Sequence, residues 1–523
     1  MKFKYIIIAI IVTALSFISC GDFLEPNSKS EFVPKDAVSL NELLLGEAYQ
    51  LNTLSGFNIF LNLMEDDIEA APYQKPIEGF NANKYLASFC WQPDMFEMME
   101  KAGSGHINLY ESYYKLIKGT NAILDYIPYV IDTELNINKV KAQAYALRGF
   151  YYFNLVNIFG QPYNYNKEAM GVPLKLHSGI ESNLDNLARR SVEDVYVQIL
   201  SDLHTAEEIY LQLPESEQWS NNYRTSLPMV QLMLSRTYLY MEQWEEAAKY
   251  AKMVMDDKRF ALFDLNTVIP ESKNEEGNIV RNYPVMPTYN CSETIWPYGY
   301  VVDMFQWTYD YVNKENPDNG DKMMHAYFQA SKGLLNTFVD YDKRLGLYIV
   351  EASDGNNGTM KMAYGKVNIG QVYYLPLQET NTFGRCLRLS EAYLNYAEAQ
   401  AMIGGDSIIK ATSALNALGW NRFDQEDFEE YSFSSQEEII SFIRDERRRE
   451  LCFEGHRWFD LRRWGMPEIT HTWYDEETKS SIYKLEKNDL MYTVPIPKEA
   501  MDMNVKLEQN ELPQERIPVI VEK

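Results

Sequence analysis

The sequence predicts a mostly α-helical fold in which paired helices carry two long irregular loop regions and a few short β-strands. Apolar residues recur every three or four positions over several segments, which is typical of helices that bury one face. Residues 70–105 and 260–384 lose that periodicity and are rich in Gly, Pro, Asn and aromatic residues. Aromatic residues form 14% of the chain, and this abundance of rings argues against disordered loops.

The composition narrows the class of protein. With 49 Lys+Arg against 75 Asp+Glu, the formal charge of the 523 residues is −26, which argues against a nucleic-acid partner because phosphate binding needs a basic surface. Apolar residues make up 46% of the chain, so it is neither disordered nor fibrous.

The first twenty residues indicate export. Lys2 and Lys4 precede an apolar run over residues 5–18, which is too short for the roughly 20 residues that span a bilayer. Residues 17–20 (FISC) resemble a bacterial lipobox, whose Cys is acylated. We therefore expect residues 1–19 to be a lipoprotein signal peptide, Cys20 to be the lipidation site and residues 20–30 to be a tether. The alternative is a plain secretory signal.

Three segments predict the helical scaffold most clearly. Residues 138–160 carry one stripe of large apolar residues and a second stripe of small residues, Ala142, Ala146 and Gly149. A neighbouring helix is expected to approach closely at the small residues. Residues 229–255 form two helices joined at 241–243, with large and small residues placed as in tetratricopeptide repeats. Residues 388–419 form a further pair, with Gly404 and Gly405 in the turn and Asp406 as the cap. Further helices are expected over 35–51, 109–130, 192–213 and 435–464.

The second loop region holds the densest group of rings, with nine aromatic residues among the 29 residues 283–311. In each of two groups of three, the rings occupy every second position. This spacing would place the three rings of a group on one face of an extended chain. Rings on one face provide flat apolar surfaces for sugars, and nearby polar side chains would hold the hydroxyls. We expect ligand contacts from Trp296, Tyr298, Trp307, Tyr309 and Tyr311. The alternative is that these are inward-facing strand residues, an interpretation slightly favoured for Trp296.

The first loop region adds three candidate ligand contacts, Tyr73, Tyr85 and Trp91. Trp91 follows Cys90 and precedes Gln92 and Pro93, a setting in which a ring can serve as a platform for a ligand.

The charged segment 443–465 has two interpretations. Glu450, Glu454, His456, Arg457 and Asp460 could suggest acid–base catalysis or a metal site. Their spacing of three and four residues instead favours a charge ladder along one helix, which positions the helix and carries out no reaction.

No catalytic or metal-binding motif stands out. The chain lacks the common nucleophile, zinc-protease, phosphate-loop and dinucleotide-binding motifs, and its six histidines are scattered. We predict no cofactor, no metal and no catalytic residue. The pairing of Cys90, Cys291, Cys386 and Cys452 stays open, because their spacing fits no known pattern.

Several segments, in order along the chain, resemble the SusD/RagB family of nutrient-binding surface lipoproteins of Bacteroidota. The clearest is the segment 446–465 (ERRRELCFEGHRWFDLRRWG). The others are residues 22–25 (DFLE), Asp66-Asp67, Tyr113 with Gly119 and Asn121, 144–160, 394–399 (LNYAEA), 492–497 (YTVPIP) and 504–510.

The resemblance implies tetratricopeptide-like helices with a loop-covered ligand face, divided here into an N-terminal region (31–260) and a C-terminal region (261–523) of one physical unit. It implies a lipid-anchored, surface-exposed outer-membrane protein that binds an oligosaccharide and delivers it to a SusC-like TonB-dependent transporter. Alternatives are a peptide-binding RagB-like protein, a glycoside hydrolase with two carboxylates, or a pure interaction scaffold. The particular ligand, the oligomeric state and the transporter-facing surface stay open.

Overall fold

The computed structural model describes residues 32–49, 59–70, 82–104, 107–269, 271–273, 279–282, 284–299, 309–312, 323–326, 328–353, 359–362, 366 and 383–522. The helices are α1 (Ala37–Glu47), α2 (Ile59–Met64), α3 (Leu86–Phe89), α4 (Met95–Lys101), α5 (Leu109–Tyr126), α6 (Glu134–Phe159), α7 (Tyr163–Asn166), α8 (Val192–Gln212), α9 (Leu227–Tyr240), α10 (Trp244–Met255), α11 (Lys332–Leu335), α12 (Arg344–Leu347), α13 (Leu389–Ile403), α14 (Ser407–Trp420), α15 (Gln436–Leu451), α16 (Arg457–Arg463) and α17 (Lys498–Met503). The strands are β1 (Ile68–Ala70), β2 (Glu271–Lys273), β3 (Ile279–Arg281), β4 (Thr294–Tyr298), β5 (Tyr309–Val312), β6 (Met323–Ala326), β7 (Phe328–Ala330), β8 (Val350–Ser353), β9 (Thr359–Met362), β10 (Arg385–Arg388), β11 (Ile469–Glu476), β12 (Lys479–Leu485) and β13 (Val519–Glu522).

The long helices begin at side-chain caps. Asp36, Asn108, Thr133, Ser191 and Ser435 each accept a hydrogen bond from the backbone N–H three residues further on. Such caps satisfy amide groups that have no partner inside the helix, and each contributes about 1 kcal/mol. They fix the starts of α1, α5, α6, α8 and α15.

The long helices stack into one array. Helix α5 packs on α6, α6 on α8, α8 on α9, α9 on α10, α10 on α13, and α13 on both α14 and α15. Helices α10 and α13 are neighbours although residues 256–388 separate them in sequence, so the second loop region is an insertion between stacked pairs. The predicted mostly helical, repeat-like fold is confirmed.

Two predicted glycine positions have the expected roles. A Cβ on Gly149 would lie 3.0 Å from the Leu203 side chain, so the small stripe of α6 does admit α8 closely. Gly404 and Gly405 adopt φ of +76° and +57° in the turn before α14, a conformation that favours glycine. Asp406 occupies the cap position, but its side chain makes no capping hydrogen bond, which corrects that prediction.

The predicted single helix over 435–464 is wrong. Helix α15 ends at Leu451 and α16 begins at Arg457, because Phe453 and Gly455 have φ of +65° and +81°. A Cβ on Gly455 would collide with the Arg385 guanidinium. The chain therefore leaves the helical conformation between α15 and α16.

The strands form small antiparallel units: β1–β7, β2–β3, β4–β10, β5–β6, β8–β9 and the three-stranded sheet β11–β12–β13. The main hydrophobic core runs from Leu40 to Leu507 and includes residues from both halves of the chain. In the described part of the chain, no helix is both long and apolar enough to cross a bilayer. Cys90, Cys291, Cys386 and Cys452 are buried and not joined in disulfides.

Candidate functional site

The two loop regions meet at a pair of short strands. Strand β1, at the start of the first region, pairs antiparallel with β7 of the second, with Ile68 opposite Ala330 and Ala70 opposite Phe328. Strand β4 of the second region pairs with β10, which leads directly into α13. Both loop regions are thereby joined to each other and to the helical array.

An acidic turn anchors this junction to the C-terminal helices. Asp66 accepts two hydrogen bonds from the Arg457 guanidinium at 2.7 and 2.8 Å, and Asp67 accepts one from Arg448 Nε at 2.5 Å. The Ser331 N–H and hydroxyl bond the backbone carbonyls of Asp67 and Asp66. Burial opposes ionisation of Asp66, but hydrogen bonding and charge from Arg457 outweigh it and lower its pKa to about 2. The Asp66–Arg457 pair is ionised and two-pronged, which makes it stronger than a single hydrogen bond.

Trp296 is a core residue. It is 2% exposed, its Nε1 donates to the Tyr223 carbonyl at 2.8 Å, and Phe150 packs edge-on against its ring. The prediction of a ligand contact at Trp296 is therefore corrected in favour of the buried strand. Tyr298 stacks on Trp296 at 4.8 Å and is half-buried, and its contact with ligand stays a prediction.

Trp91 and Tyr85 also belong to the core. Trp91 is fully buried, its Nε1 donates to the Met64 carbonyl at 2.9 Å, and its ring stacks on His471. Tyr85 is 7% exposed and packs edge-on against Phe328. Neither offers a ring face to a ligand, which corrects both predictions. An indole buries completely where a carbonyl satisfies its N–H, and sequence alone does not show that partner.

The remaining candidate rings belong to the second loop region or lie outside the described residues. Tyr309 and Tyr311 occupy positions two apart in β5, opposite Ala326 and Met324 of β6. Tyr73, Trp307 and the lipidation candidate Cys20 are outside the described residues. All five positions, Tyr309 and Tyr311 included, stay predictions.

A cluster of buried charges replaces the predicted ladder. Glu450 is fully buried and accepts hydrogen bonds from the guanidiniums of Arg344, Arg388 and Arg422, at distances from 2.5 to 3.1 Å. These arginines come from α12, β10 and the residues after α14. The structural interpretation of the segment is therefore right, but its partners are distant in sequence.

The other members of the predicted ladder also pair elsewhere. Glu454 accepts from Arg388 and from Lys366 Nζ at 2.7 Å. Asp460 accepts from Arg447 at 2.8 Å and from Arg463 at 2.9 Å, the latter three residues along the same helix. The cluster of buried charges ties the second loop region to the residues that follow α14 and to the end of α15.

Burial would raise the pKa of Glu450, but the charges of Arg422, Arg388 and Arg344 outweigh it and hold that pKa well below its usual range. The pKa of Glu454 is lowered in the same way by Arg388 and Lys366. Carboxylates whose pKa is lowered in this way are poor general acids. Glu65 is different, since burial first and the neighbouring Asp67 second raise its pKa well above its usual value, but it is fully buried. In the described ranges, no group of three or more His, Cys, Asp or Glu side chains could hold a metal ion.

The sequence alone does not identify the two arginines that hold the acidic turn in place. The spacing assigns Arg457 to a helix ladder and does not single out Arg448, whereas the two arginines hold Asp66 and Asp67. A signal was present: an Asp-Asp pair at the edge of a loop region needs cationic partners when it is buried.

Two family models match this chain. One, described as "SusD family", matches residues 376–513, and the other, described as "Starch-binding associating with outer membrane", matches residues 23–239. "SusD-like protein P2" of Formosa agariphila is 25% identical over 382 residues, covering 67% of this chain and 70% of that protein.

Solved structures share the fold at low sequence identity. A SusD superfamily protein from Bacteroides vulgatus superposes with a TM-score of 0.66 at 20% identity, covering 92% of this chain and 100% of that one. A structure described as a laminarin-binding SusD-like protein gives a TM-score of 0.58 at 20% identity, covering 91% and 99%. The two family models together span more than half of the sequence. Their matches follow one another along the chain in the same order as the motifs. On this evidence, the chain belongs to the SusD family.

Proposed function

We propose that this protein is a non-catalytic, surface-exposed lipoprotein that binds an oligosaccharide on its loop-bearing face and delivers it to a SusC-like TonB-dependent transporter. Cys20 would carry the lipid. The rings that would contact the sugar are Tyr298, Tyr309 and Tyr311, together with Tyr73 and Trp307.

The main support is the rigid joining of the two aromatic loop regions. The β1–β7 pair connects them, and the Asp66–Arg457 and Asp67–Arg448 pairs fix that connection to the helical array. A junction that is fixed before the ligand arrives reduces the conformational entropy lost on binding. Such a platform suits capture of a dilute nutrient.

The ligand class follows from charge and chemistry. A chain with a formal charge of −26 repels polyanions, so a neutral ligand is favoured. Sugar rings present C–H faces to aromatic planes and hydroxyls to polar side chains. One matched family is described as starch-binding, and one structural neighbour is described as laminarin-binding, both of which concern neutral glucans.

The buried carboxylates Glu450, Glu454 and Glu65 do not supply a general acid for hydrolysis. A glycoside hydrolase needs one carboxyl that stays protonated and reaches the substrate. Arginines hold Glu450 and Glu454 ionised, and Glu65, whose pKa is raised, is fully buried.

Calorimetry on the mature protein tests the proposal, with maltoheptaose, laminariheptaose and a panel of peptides as ligands. We expect saturable binding of one glucan, at least tenfold weaker binding in Tyr309→Ala and Tyr311→Ala, and no release of reducing ends. Tyr165→Ala is the matched control, because Tyr165 is 56% exposed on the separate helix α7. Binding of peptides alone would contradict the glycan assignment, and release of reducing ends would contradict the non-catalytic assignment.

The partner has its own test. Co-purification from outer membranes is expected to recover a barrel transporter with wild-type protein and with both tyrosine variants. Recovery of no barrel would contradict delivery while leaving ligand capture intact.

A further inference from the structure

A large groove lies on the helix pair α13–α14. It has a volume of about 990 Å³ and runs along the outer side of α14. One wall is the segment 428–433, and the other is the segment that follows α10, around Lys258 and Phe260.

The outer side of α14 presents apolar and polar groups in a row. Ile409, Ser413, Asn416 and Trp420 are spaced at i, i+4, i+7 and i+11, so they lie along one face of the helix. At 1.5 Å per residue, the row from Ile409 to Trp420 is about 16 Å long. Trp420 is 49% exposed, which is unusual for the largest apolar side chain.

The wall opposite is held rigidly. The Tyr431 backbone N–H donates to Asn416 Oδ1 at 2.7 Å, and Asn416 Nδ2 donates back to the Tyr431 carbonyl at 3.4 Å. Phe428 packs edge-on against Trp420 at 6.4 Å and stacks on Phe423 at 5.7 Å. The groove is therefore preformed, since its wall needs no rearrangement to admit a ligand.

Few charges line the groove. They are Asp257, Lys258 and Glu430, and Asp257 already pairs with the Arg259 guanidinium at 2.6 Å. Hydroxyl and amide side chains complete the lining, among them Thr412 and Ser413. A half-exposed indole beside hydroxyls and amides, with little net charge, suits a neutral ligand that has both apolar ring faces and many hydroxyls.

We infer that this groove is a second carbohydrate-binding site, which takes a neutral oligosaccharide with one sugar ring stacked on Trp420. The inference rests on the proposed function, because it assumes that the protein meets glycans, but it uses none of the rings proposed for the first site, Tyr73, Tyr298, Trp307, Tyr309 and Tyr311. Two sites on one molecule would raise the local concentration of a long glycan and slow its release.

The test counts glucan equivalents bound to the mature protein by calorimetry, with maltoheptaose and laminariheptaose as probes. We expect the wild type to bind two equivalents of one probe, and Trp420→Ala and Ser413→Lys each to bind one. Ser413→Lys places a long charged side chain in the groove without removing the indole, so the two variants test the site independently. Tyr165→Ala is expected to keep both equivalents.

The other outcomes separate the two proposals. One equivalent that survives in Trp420→Ala and is lost in Tyr309→Ala would overturn this inference and leave the proposed function standing. No binding of any glycan would overturn both. If Trp420→Ala keeps every glucan equivalent but no longer co-purifies with a barrel transporter, the groove is a protein-docking surface and the inference is wrong.

Discussion

Neutralising Glu450 tests the role of the buried charge cluster. In Glu450→Gln, the guanidiniums of Arg344, Arg388 and Arg422 lose a shared carboxylate that is fully buried. Removing one partner of a buried ion pair costs about 3–5 kcal/mol, because it leaves charge uncompensated in a poorly solvated site. Near the midpoint, an unfolding entropy of about 2.1 cal/mol/K per residue amounts to about 1 kcal/mol/K for a cooperative unit of this size. We therefore expect the melting temperature to fall by about 3–5 °C.

The matched control for this variant lies on the same helix. Asp445 is exposed on α15, and Asp445→Asn is expected to leave stability unchanged. Urea denaturation and thermal melting, each followed by circular dichroism, measure both variants. If Glu450→Gln were as stable as Asp445→Asn, the cluster of buried charges would not hold the second loop region to the helical array.

The same residue gives a pH dependence with a definite sign. The pKa of Glu450 is held well below its usual range in the folded protein, so the unfolded state binds its proton first as the pH falls. The stabilisation by Glu450 is thus present above about pH 4.5 and is lost as the pH falls toward the folded pKa. The difference in stability between wild type and Glu450→Gln should shrink over that window. A difference that stayed constant or grew would contradict the reasoning.

Three further predictions follow from other sites. Gly455→Ala should destabilise the protein by about 1–3 kcal/mol in urea denaturation, because φ is +81° and Arg385 fills the space, whereas Gly179→Ala, with open space at that position, should be neutral. The four buried thiols should react with Ellman's reagent only after denaturation, since burial raises the pKa of Cys452 to about 12, and fast reaction of the folded protein would contradict that burial. Cys20→Ser should abolish incorporation of labelled palmitate and release the protein from the membrane fraction, and unchanged labelling would place the lipid elsewhere.

The helices were predictable because their signals are local. Apolar spacing predicts α6, the α9–α10 pair and the α13–α14 pair nearly at their observed bounds. The split between α15 and α16 was not predictable, since it depends on Phe453 adopting a left-handed conformation and on the Arg385 guanidinium occupying the space beside Gly455. Those are tertiary facts that override a continuous helical pattern.

The site was less predictable because a ring in the core and a ring on a binding platform look alike in sequence. Trp91 and Trp296 each satisfy their N–H with a backbone carbonyl from a distant segment, which lets the indole be buried. Trp420 is two positions beyond Leu418 and so falls off the buried stripe of α14, a spacing that the sequence analysis did not use to identify an exposed ring. Glu450 was placed correctly as structural, but its three arginine partners lie 28 to 106 residues away.

Calorimetry of the mature wild-type protein with neutral glucans, paired with an assay of reducing ends, is the most direct test of nutrient capture. We expect saturable binding in which Tyr309→Ala and Tyr311→Ala weaken one glucan equivalent at least tenfold, with the ligand recovered intact. A protein that bound no glucan, or that cleaved the one it bound, would contradict the account.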